Sequence, residues 1–242
     1  MNNKNEKFVL NLPQCEFVCS SVHYTEWNKI LFSAGGRKTS KEWFLQTAKD
    51  KKVWAVDKGI EICRELKIFP ELLLGDFDSS NSSAVEWAKK NNVPVERHPV
   101  DKDLTDTQLA LLRASEIDKN FFAIITGIFG GRADHLYSTI YSCTSAKIKN
   151  CLADDKEIIF FLRDGESVNV NFFEKPVAVS LLPISEICEG VTLKNVHWEL
   201  DNAVLKKDFP NAVSNRIESN KIKASISKGT LAIYFCFDEK NL

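Results

Sequence analysis

The chain has 242 residues, 44% hydrophobic and 27% charged, with a formal net charge of −1. That length can bury a real core as one large or two smaller domains, and the ordinary balance excludes disorder. The near-zero charge excludes a general attraction to nucleic acid or anionic membrane, so any polyanion site must be local.

Seven cysteines, at positions 15, 19, 63, 143, 151, 188 and 236, form no CxxC pair. An odd, scattered set suits the reduced thiols of a cytosolic protein. The opening Met1–Lys7 is polar and of mixed charge, unlike a leader, and no apolar run approaches the ~20 residues of a membrane helix. The expectation is a soluble cytoplasmic protein with neither nucleic acid nor membrane as partner.

Residues before Lys29 show little pattern. Lys29–Ser33 reads as a strand running into Ala34-Gly35-Gly36, either a plain turn or a close approach for phosphate, since the GxGxxG and P-loop lysine patterns are absent. Ser40 to Asp50 reads as a helix with Trp43, Phe44 and Thr47 near one face. Val53–Val56 is a strand ending in Asp57-Lys58-Gly59 before a helix over Ile60–Lys67; Asp57 suits an N-cap or a ligand contact.

The strand Leu72-Leu73-Leu74-Gly75 ends in Asp76-Phe77-Asp78, and Ser79, Asn81 and Ser82 offer caps for a helix through Ala84 to Lys90. After a short extended piece at Val93–Arg97, Thr105 and Gln108 match a capping box for a helix to Ala114, which puts Asp106 in the first turn. Phe121–Thr126 reads as a buried parallel strand emptying into Gly127–His135, followed by a helix from about Leu136 to Lys147. This alternation predicts a doubly wound, mostly parallel α/β domain over residues 1–150. Beyond a linker at Cys151–Lys156, the runs 157–162, 167–172, 177–182, 191–196, 221–226 and 231–237 predict an all-β sandwich over residues 151–242.

Asp76 and Asp78 on an extended tip would point the same way, and oxygen ligands of that kind suit Mg²⁺. Alone, such a pair also caps helices or solvates turns. Asp103 and Asp106, three apart at a helix start, would add two carboxylates on one face. The glycine-rich loop ending in Arg132 supplies the opposite character, with backbone N–H groups and a guanidinium able to grip phosphate. His135 reads as a helix-start residue hydrogen-bonded to Asp134 or backbone, with direct proton transfer the other reading. No Gly-x-Ser-x-Gly, Cys–His pair or zinc spacing occurs.

Gly75-Asp76-Phe77-Asp78-Ser79, Lys102-Asp103-x-Thr105-Asp106 and Gly130-Gly131-Arg132-x-Asp134-His135, in that order, closely resemble the thiamine pyrophosphokinase family. Ser180–Ser185, Gly190–Leu193 and Val213-Ser214-Asn215 resemble its β-sandwich, so the resemblance spans roughly residues 29 to 237. It implies transfer of diphosphate from ATP to the thiamine hydroxyl, by a homodimer that holds thiamine between subunits. It further implies Mg²⁺ on Asp76, Asp78 and Asp106, with Asp103 behind them or orienting the hydroxyl, and Lys102 and Arg132 on the transferring phosphates. Asp57 and Gly59 would line the cleft, and Thr105, Gly130, Gly131, Asp134 and His135 would complete the nucleotide side. Ser214 and Asn215 would contact the thiamine pyrimidine, with Trp198 either an aromatic wall there or core.

The chain departs from the family pattern at Asp57-Lys58-Gly59, where a second small residue or an arginine is common. An Asp-x-Asp nucleotide-sugar transferase and a regulatory binding protein without turnover are the competing readings. The first predicts neither the arginine loop nor Ser214-Asn215; the second sits poorly with the retained carboxylates and Arg132.

Overall fold

The computed structural model describes residues 7–20, 27–78, 82–99, 101 and 103–239. In chain order its strands and helices begin with β1 (Lys7–Leu12), β2 (Cys15–Ser20), β3 (Asn28–Ser33), α1 (Lys41–Ala48), β4 (Lys52–Val56), α2 (Ile60–Leu66) and β5 (Leu72–Gly75). Next come α3 (Ser82–Lys90), β6 (Val95–Arg97), α4 (Asp106–Ile117), β7 (Phe121–Thr126), α5 (Ala133–Ser145) and β8 (Lys149–Ala153). The remainder is all strand: β9 (Glu157–Leu162), β10 (Ser167–Phe172), β11 (Ala178–Pro183), β12 (Ile187–Lys194), β13 (Leu200–Lys206), β14 (Lys221–Ser225) and β15 (Leu231–Cys236).

Two compact units result, an α/β unit over Asn28–Asp154 and a β unit joining the segment up to Trp27 with Asp155 onward. The expected division at 150/151 is thus corrected twice. It would cut β8, which occupies part of the supposed linker, and the N-terminal strands belong to the β unit rather than the α/β unit.

In the α/β unit the strands run β8-β7-β3-β4-β5-β6, all parallel. Every residue of β7 is buried, as is every residue of β5, which accounts for their unbroken apolar sequences. Helix α1 is N-capped by Ser40 and buries Trp43, Phe44 and Thr47, the face its sequence marks out. The strand order reverses beside β3: the chain builds outward through β4, β5 and β6, then returns to place β7 on the other side. Loops leaving β3 and β7 therefore diverge, and a crevice opens at the carboxyl ends of these strands.

In the β unit, β1-β2-β10-β14-β12-β13 form one antiparallel sheet, and β11-β15-β9 pair antiparallel in a second. Aromatic contacts join their inner faces. Phe17 of β2 stacks on Phe160 of β9 with ring centroids 4.6 Å apart, and Phe172 meets Phe235 edge-on at 5.5 Å. All seven cysteines are buried thiols. Burial pushes the Cys63 thiol up to about 12 and raises Cys15 further, so neither supplies a reactive thiolate near neutrality. Among the described residues, no helix is long and apolar enough to cross a membrane.

Candidate active site

The carboxylates at the tips of β4 and β5 come together in one acidic group. Oxygens of Asp57, Asp76 and Asp78 all lie within 4.8 Å of one another, and Asp76 is only 8% exposed. The expected alternation along an extended tip is not what unites the pair. The strand ends at Gly75, Phe77 takes a left-handed φ of 64°, and the Asp78 N–H donates to Asp76 Oδ1 at 3.2 Å. Asp57 is also left-handed, with φ 48°. Two non-glycine residues in that sparsely populated region at one site represent backbone strain, which the surrounding fold must hold in place. Asp57 is not an N-cap: α2 begins after Gly59 and has no side-chain cap. Its carboxylate faces the other two instead.

Three carboxylate oxygens from two strand tips, that of Asp76 buried, fit a hard divalent cation such as Mg²⁺. The group differs from the expected trio of Asp76, Asp78 and Asp106. Asp106 lies elsewhere in the same cleft, in the first turn of α4, while Asp57 takes the third corner.

A cleft of about 620 Å³ opens at the crevice. Asp57, Asp76, Asp103 and Asp106 line its acidic wall, and Thr105, Gly131, Arg132 and His135 also border it. Ala34, Gly35, Gly36, Gly127 and Ile128, in the loops that leave β3 and β7, line another part of it. The capping box is present, with Thr105 Oγ1 accepting from the Gln108 N–H and Gln108 Oε1 from the Thr105 N–H at 2.8 Å. Asp103 precedes that cap, so it reaches the cleft from a loop and not from a helix face as expected.

Arg132 is held by its neighbour. Its Nη2 donates to Asp134 Oδ2 at 2.6 Å and its Nε to Oδ1 at 3.1 Å, while the His135 N–H donates to the same Oδ1 at 3.0 Å. The Arg132 guanidinium thereby holds the Asp134 carboxyl below its usual range. Asp134 acts on Arg132 and not on the cleft, and His135 takes the helix-start role its sequence position suggests.

Gly59 and Gly130 are packing residues among the described contacts. A Cβ on Gly59 would stand 1.6 Å from the Ser33 carbonyl oxygen, so only glycine lets the chain pass β3 there. Gly130 turns with φ 69° against the Arg37 side chain. Lys102 lies outside the described residues.

Sequence reading missed Arg37. Its Nη2 and Nε donate to Asp154 Oδ2 at 2.7 and 2.9 Å, its N–H donates to the Phe129 carbonyl, and Asp154 is 1% exposed. This buried pair pins the β3 and β7 loops to the end of β8. No local motif announces it, because its halves are 117 residues apart in sequence.

The β unit has its own cleft, about 320 Å³, lined by Trp198, Asn211, Ala212, Val213 and Asn215. Trp198 is 57% exposed, which excludes the core reading, and the Arg216 guanidinium lies 5.4 Å from its ring centroid. Asn215 is buried and clamps the tryptophan backbone: its Oδ1 accepts from the Trp198 N–H at 3.1 Å and its Nδ2 donates to the Trp198 carbonyl at 2.8 Å. Ser214 is exposed beside it, left-handed with φ 55°, its N–H donating to Ser180 Oγ at 3.0 Å.

Residues 45–153 match the family described as thiamin pyrophosphokinase, catalytic domain, and residues 168–231 match the thiamin pyrophosphokinase, vitamin B1 binding domain. A thiamine pyrophosphokinase of Bacillus subtilis is 30% identical over 179 residues, spanning 73% of this chain and 83% of that protein. The crystal structure of thiamine pyrophosphokinase from Bacillus subtilis superposes with a TM-score of 0.76 at 28% identity, over 87% of this chain and all of that one. Thiamin pyrophosphokinase from Candida albicans shares the fold with a TM-score of 0.73 at 13% identity, over 87% and 89% of the two chains.

Proposed function

The chain belongs to the thiamine pyrophosphokinase family, and from that premise we propose the reaction and the residues that perform it. Diphosphate passes from ATP to the hydroxyl of thiamine, giving thiamine diphosphate and AMP. The observation that carries the assignment of residues is the union of the Asp57, Asp76 and Asp78 oxygens within 4.8 Å beside a cleft that Arg132 also lines.

The α/β unit is the ATP- and Mg²⁺-binding catalytic domain, doubly wound about the reversal at β3. Asp57, Asp76 and Asp78 would hold Mg²⁺, with Asp106 facing it from the first turn of α4. Bound there, the ion neutralises oxygens of the diphosphate. Arg132 has five N–H donors and gives two to Asp134, which leaves its other edge for phosphate oxygens. Lys102 joins it on the transferring phosphates, and Gly131 keeps the loop open to them. Asp103 orients the thiamine hydroxyl for in-line attack on the β-phosphorus as AMP departs. Such chemistry is mainly positioning and charge neutralisation, and a structure of opposed carboxylates and one anchored guanidinium supplies both.

The β unit is the thiamine-binding and dimerising sandwich, in which Trp198 walls the pyrimidine and Ser214 and Asn215 set its edge. In the cell the protein is a cytoplasmic homodimer. Incubation with ATP, Mg²⁺ and thiamine tests the reading: mass analysis should find AMP and thiamine diphosphate, and ADP with thiamine monophosphate would contradict it.

A further inference from the structure

Lys58 belongs neither to the carboxylate cluster nor to the Arg132 fork, yet it lines the main cleft and also a small cavity of about 40 Å³. The two spaces share Ala34, Gly35, Gly36 and Gly127. None of Asp57, Asp76, Asp78, Asp103, Asp106 or Arg132 lines the smaller one. Lys58 follows Asp57 in the 3-10 turn at the tip of β4 and is exposed. Its stem crosses the β3 loop where a Cβ on Gly35 would come within 2.6 Å of Lys58 Cβ, so the missing side chain at 35 makes room for the lysine.

Thr126, at the end of β7, also lines the small cavity. It is 2% exposed, and its Oγ1 has no hydrogen-bond partner among the described residues. A buried hydroxyl left unpaired is costly, and the space beside it, more apolar than polar in its lining, has room for a small oxygen-bearing group. Glu61 borders the same cavity, with Lys38 Nζ 3.8 Å from its carboxylate to offset the charge. The Gly36 N–H is already given to the Gly127 carbonyl and the Arg37 N–H to the Phe129 carbonyl. The Lys58 ammonium and the Thr126 hydroxyl are two donors at this space, and together they suit one anionic oxygen.

We propose that Lys58 and Thr126 form a separate subsite for the phosphate that stays with the leaving nucleoside monophosphate, a claim that rests on the nucleotide reading above. An oxygen seated there lies outside the carboxylate ring and away from Arg132, where the transferred groups belong. The lysine at the family's variable loop position thus reads the α-phosphate.

Calorimetric titration of the full chain with AMP and with adenosine, in EDTA so that no metal contributes, tests this. AMP should bind at least about tenfold more tightly than adenosine. Lys58→Met should remove most of that ratio by weakening AMP alone, and Lys58→Arg should keep it. Thr126→Val should weaken AMP several-fold, with Thr126→Ser restoring it. A ratio near one in the wild type, an unchanged ratio in Lys58→Met, or equal weakening of both ligands would overturn the subsite. If the ratio follows Lys58 while thiamine is not turned over, the subsite stands and the assigned reaction falls.

Discussion

Three carboxylates whose oxygens lie within 4.8 Å repel one another, and Asp57 stands on left-handed backbone while Asp76 and Asp78 flank the left-handed Phe77. A bound divalent cation turns that repulsion into attraction, and by linkage it stabilises the fold by about 2.7 kcal/mol at a hundredfold excess over Kd. Thermal unfolding should therefore show Mg²⁺ raising Tm in the wild type and not in Asp57→Asn or Asp76→Asn. Asp106→Asn should keep most of the rise, because Asp106 lies outside the cluster; a variant that lost it fully would restore the trio of Asp76, Asp78 and Asp106. The sequence exposes Asp76 and Asp78 through their spacing, and it marks Arg132 through its glycines. It hides the role of Asp57, because residues 57 and 76 meet only through the pairing of β4 with β5. For Trp198 composition alone left core and surface open, and the Asn215 clamp that holds it out is a contact across 17 residues.

At the level of elements, α4 carries the acidic wall on its first turn, and its start depends on a reciprocal cap. Thr105→Ala should cost about 1 kcal/mol in urea unfolding, with loss of activity exceeding what stability explains, since the same turn positions Asp106. The end of α4 is held differently. Asp118 accepts from the Asn120 N–H and from Asn28 Nδ2, and these bonds lower its pKa below the ordinary 3.8. A depressed carboxyl contributes stability that is full above its unfolded pKa and is lost as pH falls through the folded one. The Tm difference between wild type and Asp118→Ala should accordingly be constant above about pH 5 and shrink below pH 4; a difference that grew on acidification would contradict it. The unbroken apolar runs of β7 and β9 were legible to the residue, and α4 was legible at its capped start but runs three residues past the expected end at Ala114. β13 was not, because only Leu205 in it is buried and its sequence carries no face. β8 is five residues long with buried Asn150, whose amide donates to the Cys143 and Ile148 carbonyls, so its polar residue disguised a strand. β1 and β2 alternate in burial, yet Val9 and Val18 blur the pattern at the intermediate positions.

For the whole molecule, the chain contributes its first two strands to the unit that the segment Asp155–Leu242 builds. No local rule places them there, since β2 pairs with β10 at a separation of about 150 residues. Phe17 is the anchor of that closure, fully buried and stacked on Phe160. Phe17→Ala should cost about 3–5 kcal/mol in denaturant unfolding, whereas a loss under 1 kcal/mol would mean that the N-terminal strands are not integral to the β unit. The central claim, transfer of an intact diphosphate to thiamine, is tested most directly by the fate of label placed on individual phosphates of ATP. With Mg²⁺ and thiamine, label from the β- and γ-phosphates should arrive together in the thiamine product and label from the α-phosphate should remain in AMP. Arrival of the γ-label alone, with the β-label left in ADP, would contradict the account.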